Sequence, residues 1–158
     1  MHLEGKVMIN APRERVYAFL TDPTQVSTCA PGIEKVEQVE PGKSFRATAS
    51  IGFGTVKARF AGDVEWLELE APTRAKMKAH GKASGSAADV VSEMKLSDAG
   101  GGTELQWTAD VTVVGQLASL AARLMGTVSQ KLTGVFFDCV RKKIEAGTPA
   151  TPAPAAEA

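Results

Sequence analysis

Hydrophobic and polar positions alternate along most of this chain, and the period of the alternation changes once. From His2 to Ile9, Leu3, Val7 and Ile9 face one way and Glu4 and Lys6 the other, which predicts a strand ending near Asn10. Pro12 fits the first turn of a helix capped by Asn10 or Ala11, with Val16, Tyr17, Phe19 and Leu20 on its apolar side. A second short helix is expected from Asp22-Pro23, stopped by Pro31-Gly32. Between Ile33 and Val114, turn signals at Pro41-Gly42, Gly52 to Gly54, Ala71-Pro72, Gly81 to Ser86 and Gly100 to Gly102 divide the chain into a meander of strands. In the last of them Leu105, Trp107, Ala109, Val111 and Val113 oppose Glu104, Gln106, Thr108, Asp110 and Thr112, the mark of an antiparallel sheet with one dry face. In the strand from Lys57 the inward set is Ala58, Phe60, Gly62, Val64 and Trp66, until Leu67 and Leu69 shift it by one residue. A bulge near Trp66-Leu67 is therefore expected.

After Gly115 the period lengthens to that of a helix, with Leu117, Leu120, Leu124, Val128, Leu132, Val135, Phe136, Cys139 and Val140 on one stripe. Running to about Glu145, such a helix is on the order of 40 Å long, enough to cross the sheet and cover its dry face. The expected architecture is α+β, with one domain over residues 1–146 and an extended, mobile Pro/Ala tail, GTPATPAPAAEA, over residues 147–158.

The inward strand positions are rich in small residues: Ala47, Ala49, Ala58, Gly62, Ala75, Ala79, Gly81 and Ala109. Native packing uses larger groups to fill a solid core, so a curved sheet carrying these beneath one helix leaves room for a guest. The larger inward residues are apolar, and the candidate ligand-binding set is Phe45, Ala47, Ala49, Phe60, Val64, Met77, Ala79, Met94, Trp107, Ala109, Leu124 and Val128. The competing reading is that these side chains simply meet in a compact core. Gly126 and Gly134 inside the long helix each cost up to ~1 kcal/mol relative to alanine, which points either to close approach of a guest or to tight helix–sheet packing.

Eighteen basic residues balance eighteen acidic ones, so the electrostatic excess on which nucleic-acid binding draws is missing. With 44% hydrophobic residues the chain is globular, and it has no run of the ~20 apolar residues needed to span a bilayer. The N-terminus lacks a secretory pattern. Cys29 and Cys139 lie far apart, with no metal-binding spacing, and are expected to be free thiols in cytosol. His2, at a frayed N-terminus, and His80, among Lys76, Lys78 and Lys82, suggest neither metal site nor catalytic pair. Asp63, Glu65 and Arg59 read as a charge-paired surface, and the glycine runs at Gly81 to Gly85 and Gly100 to Gly102 as hairpin turns rather than phosphate cradles. No catalytic residue, metal or intrinsic cofactor is indicated.

The order of elements, together with Leu3-Glu4-Gly5, Ile9 to Pro12 and Val16, Asp22-Pro23, Cys29-Ala30-Pro31-Gly32, Gly54 to Gly62, the Gly81 to Gly85 loop and Gly102 to Leu105, resembles the START/Bet v 1-like (SRPBCC) superfamily. Within it the chain is similar to the family of the G subunit of carbon monoxide dehydrogenase. The Cys-x-Pro-Gly element is the most specific of these pieces. The resemblance implies a helix-grip fold: a curved antiparallel seven-strand sheet wrapped around a long C-terminal helix, with two short helices after strand one. It further implies a non-enzymatic accessory protein of an aerobic CO dehydrogenase-type molybdenum hydroxylase, cytoplasmic and peripheral at the inner face of the membrane. Its guest would be a bound quinone or lipid. Some relatives extend into a hydrophobic anchor, and this tail contains no such run. Two other classes stay open: an assembly chaperone without ligand, and a small cyclase- or aromatase-like enzyme, which would need polar groups inside, where Ser92 and Tyr17 are the candidates.

Overall fold

The computed structural model describes residues 1–53 and 55–146, so the expected tail lies outside the described residues. Strand β1 (His2–Ile9) leads into two short helices, α1 (Arg13–Leu20) and α2 (Pro23–Val26). The meander follows as β2 (Ile33–Glu40), β3 (Ser44–Phe53), β4 (Val56–Glu70), β5 (Arg74–Ala83), β6 (Ser86–Ala99) and β7 (Gly102–Gly115), and helix α3 (Ala118–Ala146) closes the fold. The seven strands form one antiparallel sheet in the order β1-β7-β6-β5-β4-β3-β2. Each hairpin neighbour in sequence is therefore a neighbour in space, and only β1 joins from a distance.

Local chemistry explains most of these boundaries. Helix α1 is preceded by Pro12 in an extended conformation, with no side-chain cap from either residue expected to supply one. Asp22 does cap α2, accepting from the Thr24 N–H at 3.0 Å. Gly100 and Gly101 adopt φ of 57° and 89° in the β6–β7 turn, where any other residue would be strained. The register of β4 against β5 slips between Trp66 and Glu68, which is the bulge read from the shift to Leu67 and Leu69. Arg74 neutralises the acidic side chains gathered there, bonding to Glu68, Glu70 and Glu93.

Packing divides into two cores. One gathers Ile9, Val16, Phe19, Leu20, Leu96, Leu105, Val140 and Ile144 where α1 meets the C-terminal end of α3. The other surrounds Ala58 and Ala121 under the N-terminal end of α3. Polar bonds fasten the first core: the buried Thr103 hydroxyl donates to the Ala11 carbonyl at 2.7 Å, and Arg15 Nε donates to the Ile144 carbonyl at 3.2 Å.

Two expectations are corrected. Cys29 and Cys139 are joined in a disulfide, with Cα atoms 5.4 Å apart across a sequence separation of 110. Spacing along the chain carries no sign of this, because α3 returns across the α2–β2 loop only in the folded topology. His2 is not frayed: it pairs with Asp110 in register, its ring nitrogens lie 2.8 Å from Asp110 Oδ1 and 3.0 Å from Glu4 Oε1, and the Met1 ammonium donates to the Val111 carbonyl.

Closing a loop of this length restricts the unfolded chain, so reducing the bridge should lower the unfolding free energy by about 2–5 kcal/mol. Urea midpoints of oxidised, reduced and Cys139→Ser protein check this, and coincident midpoints would mean the bridge constrains nothing. The bonds to Asp110, chiefly, and to Glu4 raise the His2 pKa above 6.5. A raised folded-state value contributes stability that is complete below the unfolded pKa and is lost as pH rises through the folded one. The stability advantage of wild type over His2→Gln should thus shrink as the pH rises above about 6.5 and through the raised folded-state value. A constant difference would show that the imidazolium contributes nothing.

Candidate functional site

Between the two cores, sheet and helix part to leave a cavity of about 410 Å³. Register builds its floor: Trp66, Met77, Ser92 and Ala109 form one continuous cross-strand row, and Ala75, Met94 and Trp107 form the next. Phe45, Ala47 and Val64 continue the floor on β3 and β4. The roof is Thr133, Phe136 and Phe137 of α3, and the side wall is Leu20, Pro23, Val26, Ser27 and Ala30 around α2. The disulfide ties roof to side wall, since Cys29 adjoins Ala30 and Cys139 lies one turn beyond Phe136.

Of the residues proposed from sequence, Phe45, Ala47, Val64, Met77, Met94, Trp107 and Ala109 line this space together. Phe60, Leu124 and Val128 do not, being packed around Ala58 and Ala121 in the second core. Ala49 and Ala79 are partly exposed and stand apart from the lining, Ala49 beside Phe60 on the neighbouring strand. The cavity therefore sits under the C-terminal half of α3. A uniform apolar stripe cannot show which of its turns touch the sheet, so the roof residues and the α2 wall went unseen. The adjacent aromatics Phe136-Phe137, broader than the leucines before them, were the available signal.

Gly126 and Gly134 are exposed, with nothing within 4 Å of where a Cβ would stand, so no strand approaches them, and neither lines the cavity. Val135, assigned to the inward stripe, is 51% exposed, because this part of the helix turns that side to solvent.

The wall chemistry is uniform. Among the described residues no ionisable side chain lines the cavity. Its hydroxyls are committed to backbone carbonyls: Ser27 donates to Thr24 at 3.1 Å, Ser92 to Thr108 at 2.9 Å and Thr133 to Ser129 at 2.8 Å. Tyr17 is not part of the lining; its hydroxyl is buried without a hydrogen-bond partner among the described residues, and burial first, then the Glu70 charge, raises its pKa. Among the described residues no cluster of three or more His, Cys, Asp or Glu is placed to hold a metal ion. The opposite, wet face carries the charges, with Arg46 donating to Asp63 at 3.0 Å and His80 2.6 Å from Asp89.

The family model described as the G subunit of carbon monoxide dehydrogenase (CoxG) matches residues 5–145. No curated protein matches. Among solved structures, a conserved protein from Geobacillus kaustophilus is similar at 23% identity and a TM-score of 0.84, over 92% of this chain and 96% of that one. Ara h 8.0201 is similar at 16% identity and a TM-score of 0.65, over 93% and 99%. The ZhuI aromatase/cyclase from Streptomyces sp. R1128 is similar at 17% identity and a TM-score of 0.65, over 93% and 98%. The fold is accordingly the Bet v 1-like helix-grip fold.

Gly5 controls one boundary of the cavity. It lies opposite Trp107, and a Cβ there would stand 2.7 Å from the indole Nε1. Gly5→Ala should thus displace the indole, shifting tryptophan emission at a cost of about 1–3 kcal/mol for overpacking. Unchanged emission and stability would show that the indole does not depend on the bare backbone beneath it.

Proposed function

We infer a ligand-binding accessory role from the premise that the chain belongs to the CoxG family, that of the G subunit of carbon monoxide dehydrogenase. The guest is an apolar molecule, a quinone or lipid, held between the sheet and the C-terminal half of α3. The partner is a molybdenum hydroxylase of the CO dehydrogenase type, which carries the metals, and this protein serves its recruitment to the membrane or its electron transfer to quinone. The observation that carries the reading is the cavity wall, built mainly of apolar side chains and with its hydroxyls already donating to backbone.

Physical terms support this choice of guest. Apolar surface leaving water contributes about 25 cal/mol per Å², so a guest burying roughly 200 Å² gains about 5 kcal/mol before ordering costs. A small cyclase on the same fold would need an acid or base facing its substrate, and no ionisable side chain among the described residues lines the wall. Among the described residues no helix is long and apolar enough to cross a membrane, so membrane contact in this reading is peripheral. The disulfide removes the free thiols from which a reducing compartment would follow.

Both tryptophans of the chain, Trp66 and Trp107, line the cavity and report on it directly. Titration with a short-chain quinone analogue should change their emission saturably, and native mass spectrometry should find an apolar molecule carried through purification. Ala109→Leu places a larger side chain in existing space and should weaken quinone binding about tenfold or more while the fold survives. A solid core would give no saturable change and a strongly destabilised variant, and the ligand-binding reading would then be abandoned.

A further inference from the structure

Where α1, α2 and the loop after it meet the C-terminal end of α3, the surface is indented by a pocket of about 580 Å³. Its polar lining is Arg15, Thr24, Gln25, Thr28 and Lys143, and its apolar part is Ala18, Phe19 and Ile144. Two cations therefore face one space, and among the described residues no acidic side chain lines it. We propose that this pocket binds a phosphate ester, with the dianion on Arg15 and Lys143 and the organic group against Ala18 and Phe19. The pocket shares no lining residue with the apolar cavity and is a site of its own, whether or not the cavity holds a guest.

One bond holds each cation in place and leaves most of its donors unspent. Arg15 Nε donates to the Ile144 carbonyl at 3.2 Å, while its two η nitrogens have no partner among the described residues. Lys143 Nζ donates to the Thr28 hydroxyl at 2.7 Å, which uses one of the three ammonium protons. Thr28 in turn donates to the Gln25 carbonyl at 2.6 Å, so its oxygen is turned to accept from Lys143. The Thr24 hydroxyl also lacks a partner among the described residues; only its N–H is engaged, by Asp22. Donors fixed in this way lose little freedom when a ligand arrives.

The acids nearest in sequence are committed elsewhere. Asp22 accepts from the Thr24 N–H at 3.0 Å and the Gln25 amide at 2.9 Å, Asp138 pairs with Arg141, Glu145 accepts from the Asn10 N–H at 2.9 Å, and Glu14 lies outside the lining. The positive charge of the pocket is thus not cancelled from within. A phosphate dianion presents three oxygens, which matches donors arriving from three elements: the Arg15 fork from α1, the Thr24 hydroxyl from α2 and the Lys143 ammonium from α3. A carboxylate brings two oxygens and half the charge, so it leaves one of these donors unused. The volume is that of a small-molecule site rather than of a single ion, and the apolar part of the lining gives an organic group its surface.

Phenyl phosphate titrated calorimetrically into the full chain tests this, at about pH 8, where a phosphate ester is a dianion. Saturable binding is expected, tighter than that of benzoate. Arg15→Met and Lys143→Met should each weaken it about three- to tenfold, and Thr24→Val by a smaller factor of about two to three. Lys142→Met removes the same charge one residue away but outside the lining, and should leave the affinity unchanged. Arg15 also holds the Ile144 carbonyl, so the exposed Lys143 and Thr24 carry the test if Arg15→Met fails to fold. Equal losses in Lys142→Met and Lys143→Met would reduce the site to general charge attraction and overturn it, as would the absence of saturable binding. Benzoate bound as tightly as phenyl phosphate would overturn the phosphate class. With phenyl phosphate bound as expected, sedimentation with phosphatidylcholine vesicles containing phosphatidic acid identifies the source of the ester. Wild type carried down and Lys143→Met left behind assigns it to a lipid head group, and wild type left in solution assigns it to a soluble ester.

Discussion

A sheet with one dry face must be covered, and here the cover is narrower than the sheet. Seven strands spaced ~4.8 Å apart span roughly 30 Å, whereas one helix with its side chains measures about 10–12 Å across. A single α3 cannot fill the concavity unless the inward strand residues are large, and in this sequence many are alanine or glycine. Contact is made at the two ends, where Ala121 meets Ala58 and where Val140 and Ile144 join Ile9 and Leu105. The middle stays open, and α1 and α2 close only one side of it. Hollowness follows from this mismatch of widths, and the rest of the site is arranged around it.

Holding a helix away from a sheet removes the contacts that would ordinarily fix it, so other links take over. Arg15 holds the Ile144 carbonyl, the Asn10 N–H donates to Glu145 at 2.9 Å, and Lys143 donates to the Thr28 hydroxyl at 2.7 Å. The Cys29–Cys139 bridge adds a covalent tie at the same end. These links run from α3 to β1, α1 and the α2–β2 loop rather than to the floor of the cavity. They set the height of the roof without filling the space beneath it.

The element order, the bulge at Trp66-Leu67 and the dry face of β7 were legible because each is a periodicity of two or 3.6 residues, or a break in one. Floor residues were legible for the same reason: alternation says which side of a strand is inward, and Met77, Met94 and Trp107 follow it. The roof was not. Leu124 and Val128 have the same periodicity as Phe136, and what separates them is the distance of each helical turn from the sheet, a tertiary quantity. Gly126 and Gly134 invited a packing explanation, yet the helix turns them to solvent. The disulfide was hidden because pairing depends on where α3 passes, not on the number of residues between the cysteines.

The helix-grip fold does not by itself choose between a carrier and an enzyme, since likeness at 17% identity to an aromatase/cyclase extends to the fold alone. The choice lies in the chemistry of the wall. An enzyme working on a bound polyketide-like guest needs a group whose proton can move at the reacting atom, held within about 3 Å of it. Each serine or threonine that lines this cavity already donates to a carbonyl of its own element or of a neighbouring strand. Such a hydroxyl can still accept a bond, but it offers no proton without breaking the one it makes. A wall of this kind suits a guest chosen by shape and apolarity.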